Sequence, residues 1–190
     1  YVSASRRMIA LLREVSPVVE QYSIDEAWID MTGTERLYGP PVLAAAWLKD
    51  RIHRELGFTV NIGISCNKLL AKMASDFEKP DKVHTLFPGE LAEKLWPLPT
   101  QELFMLGEAT ARKLRRFGID TIGALAQADP VFLTKALGKQ GQMLWQYANG
   151  RGEAFLQAQP AANKGYGNAV TTARDVTDRS YACQVLLSLC

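Results

Sequence analysis

The chain reads as an α+β protein in three parts. Three observations carry that reading. Its first half alternates amphipathic helices with short strand-like runs. From about Leu91 to Phe155 the strands disappear and short helices are joined by tight turns. Near Pro160 the composition shifts again, to a polar, Gly-rich stretch followed by β-like residues and a helix start. The expected division is residues 1–90, 91–160 and 161–190. Its 190 residues are 47% hydrophobic and 22% charged, enough apolar material for a sizeable core. No apolar run approaches the ~20 residues of a membrane span, and no signal peptide is visible.

Ala4–Glu14 is expected to be a helix with Met8, Leu11, Leu12 and Val15 along one side, ended by Pro17. Val18–Ile24 and Ala27–Met31 read as strands, with Asp25 and Glu26 between them. Neighbouring side chains in a straight strand point to opposite faces, so adjacent carboxylates can serve one site only at a bend. A tight hairpin with Asp25-Glu26 at its tip is therefore expected. "YGPP" at Tyr38–Pro41 opens a helix that runs to about Leu56 and stops at Gly57. "TVNIGIS" alternates as a strand. Asn67 then caps "KLLAKMASDFE", which directs Leu69, Leu70, Met73 and Phe77 to the core. Lys79-Pro80 breaks that helix, and Val83–Phe87 forms another strand. Helices on one face of an antiparallel or mixed sheet follow from this order.

In the helical part, Leu103–Leu114 has the outline of a helix-hairpin-helix. Gly107 lets the backbone approach closely, and the free N–H groups of the next helix start face a phosphate. "RKLRR" follows, and Gln101–Arg151 carries seven basic residues against four acidic ones. Such a cluster serves equally as a solvated face or a phosphate footprint. A looser second copy lies at "ALGKQGQMLWQYANG". In the last part, Asp178 opens a helix.

The cysteines, Cys66, Cys183 and Cys190, are odd in number and widely spaced. This favours a reducing, cytoplasmic setting and argues against zinc. His53 and His84 are isolated. Any metal is expected on oxygen ligands. The start at Tyr1 and the end inside an apolar helix-like run suggest an internal piece of a longer protein.

Burying two adjacent carboxylates in an apolar stretch is costly unless something positive meets them. A resemblance supplies a candidate. "YSIDEAWIDMTG", "NIGISCNKLLAKMASDFEKPDKV", "FMLGEATARKLRRFGIDTIGALA", "LGKQGQMLWQYANGRGE" and "GNAVTTARDVTD" are similar, in order, to the Y-family of translesion DNA polymerases, and most to their bacterial DNA polymerase IV branch. The resemblance implies a partial palm, a helix-hairpin-helix thumb and the start of a little finger. It implies two Mg²⁺ ions, with Asp25 bridging both and Glu26 holding the ion near the primer end. Glu26 would also aid deprotonation there. Lys79 would contact the incoming triphosphate, with Lys72 near the same site. Ser23 would either orient Asp25 or fill the strand, and Asp30 would be structural. Gly107, Arg112 and Lys113 would meet DNA, and Arg174 would lie on a strand along its phosphates.

The expected partners are primer–template DNA and deoxynucleoside triphosphates, with a sliding clamp, if bound, engaged through sequence beyond Cys190. A cytoplasmic monomer off the membrane is expected. The family's third metal carboxylate, steric gate and fingers precede the position of Tyr1, so these 190 residues alone are not expected to polymerise. The family's hairpin carries two glycines around one residue, and Met105 replaces the first. The alternative reading is a non-catalytic DNA-binding relative of the same fold.

Overall fold

The computed structural model describes residues 1–157, 165 and 167–189. It divides into two compact units, Tyr1–Ala158 and Gln159–Cys190. The α+β class holds.

In the first unit, helix α1 spans Val2–Val15 and buries Met8, Ile9, Leu11, Leu12 and Val15. Strands β1 (Val19–Gln21) and β2 (Ala27–Ile29) form an antiparallel hairpin, with Glu20 opposite Trp28. The strands are shorter than expected. The N–H groups of Tyr22 and Ser23 both turn to the Glu26 carbonyl (2.9 and 3.2 Å), which ends the ladder early. A single turn, α2 (Glu35–Tyr38), precedes α3 (Pro41–Leu56). Helix α3 ends at Gly57, whose φ of 80° is the left-handed cap that glycine adopts freely. Strand β3 (Ile62–Ile64) pairs in parallel with β4 (Val83–Thr85). Between them lies α4 (Lys68–Asp76), capped as expected by the Asn67 side chain, which accepts from the Leu70 N–H.

The expected single sheet is not formed. Among the described residues, no strand bonds to both pairs, so two separate two-stranded ladders result.

Residues 88–102 form three short turns of helix, and four helices follow: α5 (Glu108–Arg116), α6 (Ile122–Gln127), α7 (Pro130–Leu137) and α8 (Lys139–Ala148). Two hydrophobic clusters hold this unit. One joins α1, β1 and α3 through Met8, Leu12, Val19, Leu48 and Ile52. The other joins α4 to the helical part: Leu69, Leu70, Met73 and Ala74 pack with Leu95, Leu103, Leu114, Ile122, Leu125 and Leu144. One core thus runs across position 90.

In the second unit the only regular element described is α9 (Arg179–Leu189), whose start is capped by Asp178 accepting from the Tyr181 N–H. The expected linker lies largely outside the described residues. The expected strand around Arg174 is not present among residues 167–178. An isolated strand leaves its backbone groups unpaired, and none of the described residues offers it a ladder.

Candidate active site

Helix α4 has two chemistries on two faces. Leu69, Leu70, Met73 and Ala74 are buried in the core. Lys68, Lys72 and Asp76, spaced four apart, line a second face, as successive turns of a helix require. This polar stripe meets the β1–β2 hairpin. Lys68 pairs with Glu20 (3.1 Å) and with Glu153 (2.7 Å), and its carbonyl accepts from the Trp28 indole (3.0 Å). One turn on, the Lys72 ammonium lies 2.8 Å from Glu26 Oε1 and 2.6 Å from Asp76 Oδ2. Asp76 Oδ1 in turn lies 2.7 Å from the Lys79 ammonium. Glu26, Lys72, Asp76 and Lys79 are thus linked in one ion chain.

The hairpin tip is where the sequence places it, but its setting differs. Asp25 is exposed and the Glu26 side chain is 37% exposed, because the bend stands clear of both hydrophobic clusters. The expected cost of burial is therefore not incurred. The positive group beside Glu26 is Lys72, 46 positions away in sequence yet in direct contact. Asp25 has a different partner: the Ser23 hydroxyl donates to its Oδ1 at 2.7 Å. Among the described residues, the hydrogen bond to Asp25 is on Oδ1, and the Glu26 pair with Lys72 is through Oε1. Asp30 has a local role, accepting from the Thr32 N–H at 2.9 Å.

The Lys72 side chain is only 14% exposed. Burial works against its charge, yet hydrogen bonds to Asp76 and Glu26 outweigh it and raise its pKa above the lysine norm. Burial likewise opposes ionisation of Asp76, but Lys72 and Lys79 hold its carboxyl below the usual range. Sequence reading named Lys72 and Lys79 and missed Asp76. The available signal was charge spacing, since Asp76 stands four residues after one lysine and three before the other.

The second group of expected residues lies on α5. Gly107 is its exposed N-cap, with open space where a Cβ would stand. The first-turn N–H groups of a helix have no intrahelical acceptors, so this backbone can receive an anion. Ala111 and Leu114 bury one face, leaving Arg112 and Lys113 exposed with Arg115 and Arg116. Met105 adopts φ 66°, the left-handed conformation that the missing glycine would take without cost.

The two groups are joined. Phe104 packs edge-on against Tyr22 (5.9 Å between centroids), and its N–H donates to Met73 Sδ at 3.3 Å. The turn before α5 therefore rests on the hairpin that carries Asp25 and Glu26. Arg174 belongs to the second unit, where its guanidinium lies 4.5 Å from the centre of the Tyr181 ring.

Comparison with known proteins identifies the family. The impB/mucB/samB family profile matches residues 1–76. DNA polymerase IV of Clostridium acetobutylicum is 44% identical over 190 residues, all of this chain and 48% of that protein. DNA polymerase IV 2 of Bacillus subtilis is 37% identical over 179 residues, 92% of this chain and 43% of that protein. Among solved structures, DinB from Sulfolobus solfataricus aligns with a TM-score of 0.74 at 28% identity, over 83% of this chain and 47% of that one. An insertion ternary complex of Dbh DNA polymerase aligns at 0.72 and 28% identity, over 83% of this chain and 46% of that one. The chain spans about half the length of the curated relatives it matches. By its identity to DNA polymerase IV proteins along its whole length, and by its fold, the chain belongs to the Y-family of DNA polymerases.

Proposed function

We propose that this chain is the palm-and-thumb portion of a translesion DNA polymerase of the DNA polymerase IV type. The observation that carries the reading is the hairpin tip. Asp25 and Glu26 stand side by side and solvent-accessible, with Glu26 at the end of an ion chain that leads to Lys79.

That donor set fits a hard divalent cation, because carboxylate oxygens suit Mg²⁺ and no imidazole or thiolate is needed. Asp25 and Glu26 would hold it, in a site for two ions. Mg²⁺ there supplies charge neutralisation of the triphosphate and a lowered pKa for the primer 3′-hydroxyl. Among the described residues no cluster of three or more metal-ligating side chains occurs, so the reading takes a third carboxylate from elsewhere in the enzyme. The 190 residues alone are then not expected to extend a primer.

The chain's own residues orient the reaction. Ser23 holds Asp25 by its Oδ1. Lys72 fixes Glu26. Lys79, with its side chain 60% exposed, receives the triphosphate. Gly107 offers backbone N–H groups to a DNA phosphate, and Arg112 and Lys113 add charge. Arg174 meets phosphate in the second unit. The primer 3′-hydroxyl gives up its proton to solvent with the aid of Glu26, its oxygen attacks the α-phosphorus, the bond to the bridging oxygen breaks, and pyrophosphate leaves. Primer–template DNA and deoxynucleoside triphosphates are the partners in this reading, a monomer in the cytoplasm its setting, and repair of damaged DNA its role.

The test uses the intact enzyme. Asp25→Ala or Glu26→Ala should abolish primer extension and leave DNA affinity nearly unchanged. Equal loss of both would make the pair structural. Extension undiminished in both variants would instead favour the non-catalytic reading for this pair. Binding of DNA to the chain should weaken steeply with salt, since the contacts are to phosphates.

A further inference from the structure

We infer that Lys72 and Asp76 act as positioning residues that link the state of Glu26 to the availability of Lys79, so that filling one subsite primes the other. This rests on the reading of Glu26 as a cation ligand and Lys79 as the triphosphate lysine.

The argument starts from shared partners. Lys72 is held by two carboxylates at once, Glu26 at 2.8 Å and Asp76 at 2.6 Å. Asp76 is held by two ammonium groups at once, Lys72 at 2.6 Å and Lys79 at 2.7 Å, each on a different oxygen. Neither end of the chain touches the other. The contacts that connect Glu26 to Lys79 therefore run through the middle pair.

The direction follows from electrostatics. When a cation binds Glu26, the carboxylate's charge is shared between the cation and Lys72, and Lys72 relies more on Asp76. Asp76 then gives more of its charge to Lys72 and holds Lys79 less tightly. Lys79 is released toward a polyphosphate. In reverse, a triphosphate that takes Lys79 leaves Asp76 to Lys72, and Lys72 relaxes its hold on Glu26. Linkage makes the two effects equal in free energy.

Burial sets where the coupling is strong. The Lys72 side chain is 14% exposed, and the buried helix face beside it fixes its backbone. The outer link is weaker, with Asp76 39% and Lys79 60% exposed. The size of the effect is thus limited by an exposed ion pair, a factor of about two to five in affinity.

The experiment measures binding of inorganic tripolyphosphate to the chain by calorimetry at low salt, with a chelator present so that metal bridging is absent. Glu26→Gln mimics a neutralised carboxylate. It should tighten tripolyphosphate binding about two- to fivefold. In a Lys72→Met background the same change should have no effect. Lys72 is mostly enclosed, so Asp76→Asn provides a second test that leaves the Lys72–Glu26 pair in place; there too, the Glu26→Gln effect should vanish. Lys72→Arg keeps the charge and should restore it.

An equal gain from Glu26→Gln with and without the middle pair would overturn the inference, because simple removal of a nearby negative charge would then explain it. No gain in the wild-type background would also overturn it. Lys79→Met distinguishes the two levels of the argument. If it leaves tripolyphosphate binding unchanged, the assignment of Lys79 fails. If it weakens binding while Glu26→Gln has no effect, only the linkage fails.

Discussion

Gly63 on β3 lies against the backbone of α4. A Cβ placed there would stand 1.9 Å from the Ala71 carbonyl oxygen and 2.5 Å from the Ser75 nitrogen. Both obstacles are helix backbone, so no rotamer change relieves the clash. Strand and helix would have to part by roughly 1.5 Å to regain ordinary contact in an interior packed at crystal density. Overpacking costs about 1–3 kcal/mol where side chains can yield. Here the upper end is expected, ~3 kcal/mol, a large share of the ~5–15 kcal/mol that holds a typical domain.

Urea unfolding of Gly63→Ala, followed by tryptophan fluorescence, measures this directly. The midpoint should fall with the m-value unchanged, and the melting temperature should drop by about 6–12 °C for a unit of this size. The consequence extends to the site, because α4 carries Lys72 and Asp76. A loss below about 0.5 kcal/mol would refute the reasoning, since it would mean that α4 moves off β3 at little cost.

Three further outcomes are expected. Met105→Gly should stabilise the chain by about 0.5–1 kcal/mol, the left-handed penalty of a side chain offset by the greater unfolded-state freedom of glycine; a melting curve that falls instead would show that the Met105 side chain contributes packing. Asn67→Ala should cost about 1–2 kcal/mol in urea unfolding, because it removes the α4 cap and the bond from Asn67 Nδ2 to the Gly150 carbonyl (3.0 Å). Glu90 accepts from Thr85 (2.9 Å) and from the Phe87 N–H (2.7 Å), and the Lys94 ammonium, with that N–H, holds its carboxyl below the usual 4.5. A lowered folded pKa stabilises above the unfolded value and is lost as pH falls through the folded one. The melting-temperature gap between wild type and Glu90→Gln should therefore be full above pH 4.5 and close below it; a gap unchanged down to low pH would refute the ionic origin.

Much of this protein is written in short-range chemistry. Asn67 caps α4 and Gly57 ends α3 because a side-chain acceptor and a left-handed residue act within a turn of their own position. The hairpin with Asp25 and Glu26 at its tip was legible for the same reason, and the quoted motifs carried the family. Met105 was visible as a departure, although its φ of 66° had to be seen to know that the turn kept its shape without glycine. Tertiary structure alone decided the rest. It set the carboxylates in the open rather than in an apolar strand, since burial depends on which elements close over a bend. It supplied Lys72 to Glu26 across 46 positions of sequence. It packed α4 into the core of the helical part and made Gly63 a contact point. It left two ladders instead of one sheet. Caps, turns and periodicity are energies of neighbours along the chain. Ion pairs, close approaches and shared cores are energies of neighbours in space, and those are fixed only when α4 docks between the hairpin and the helices that follow it.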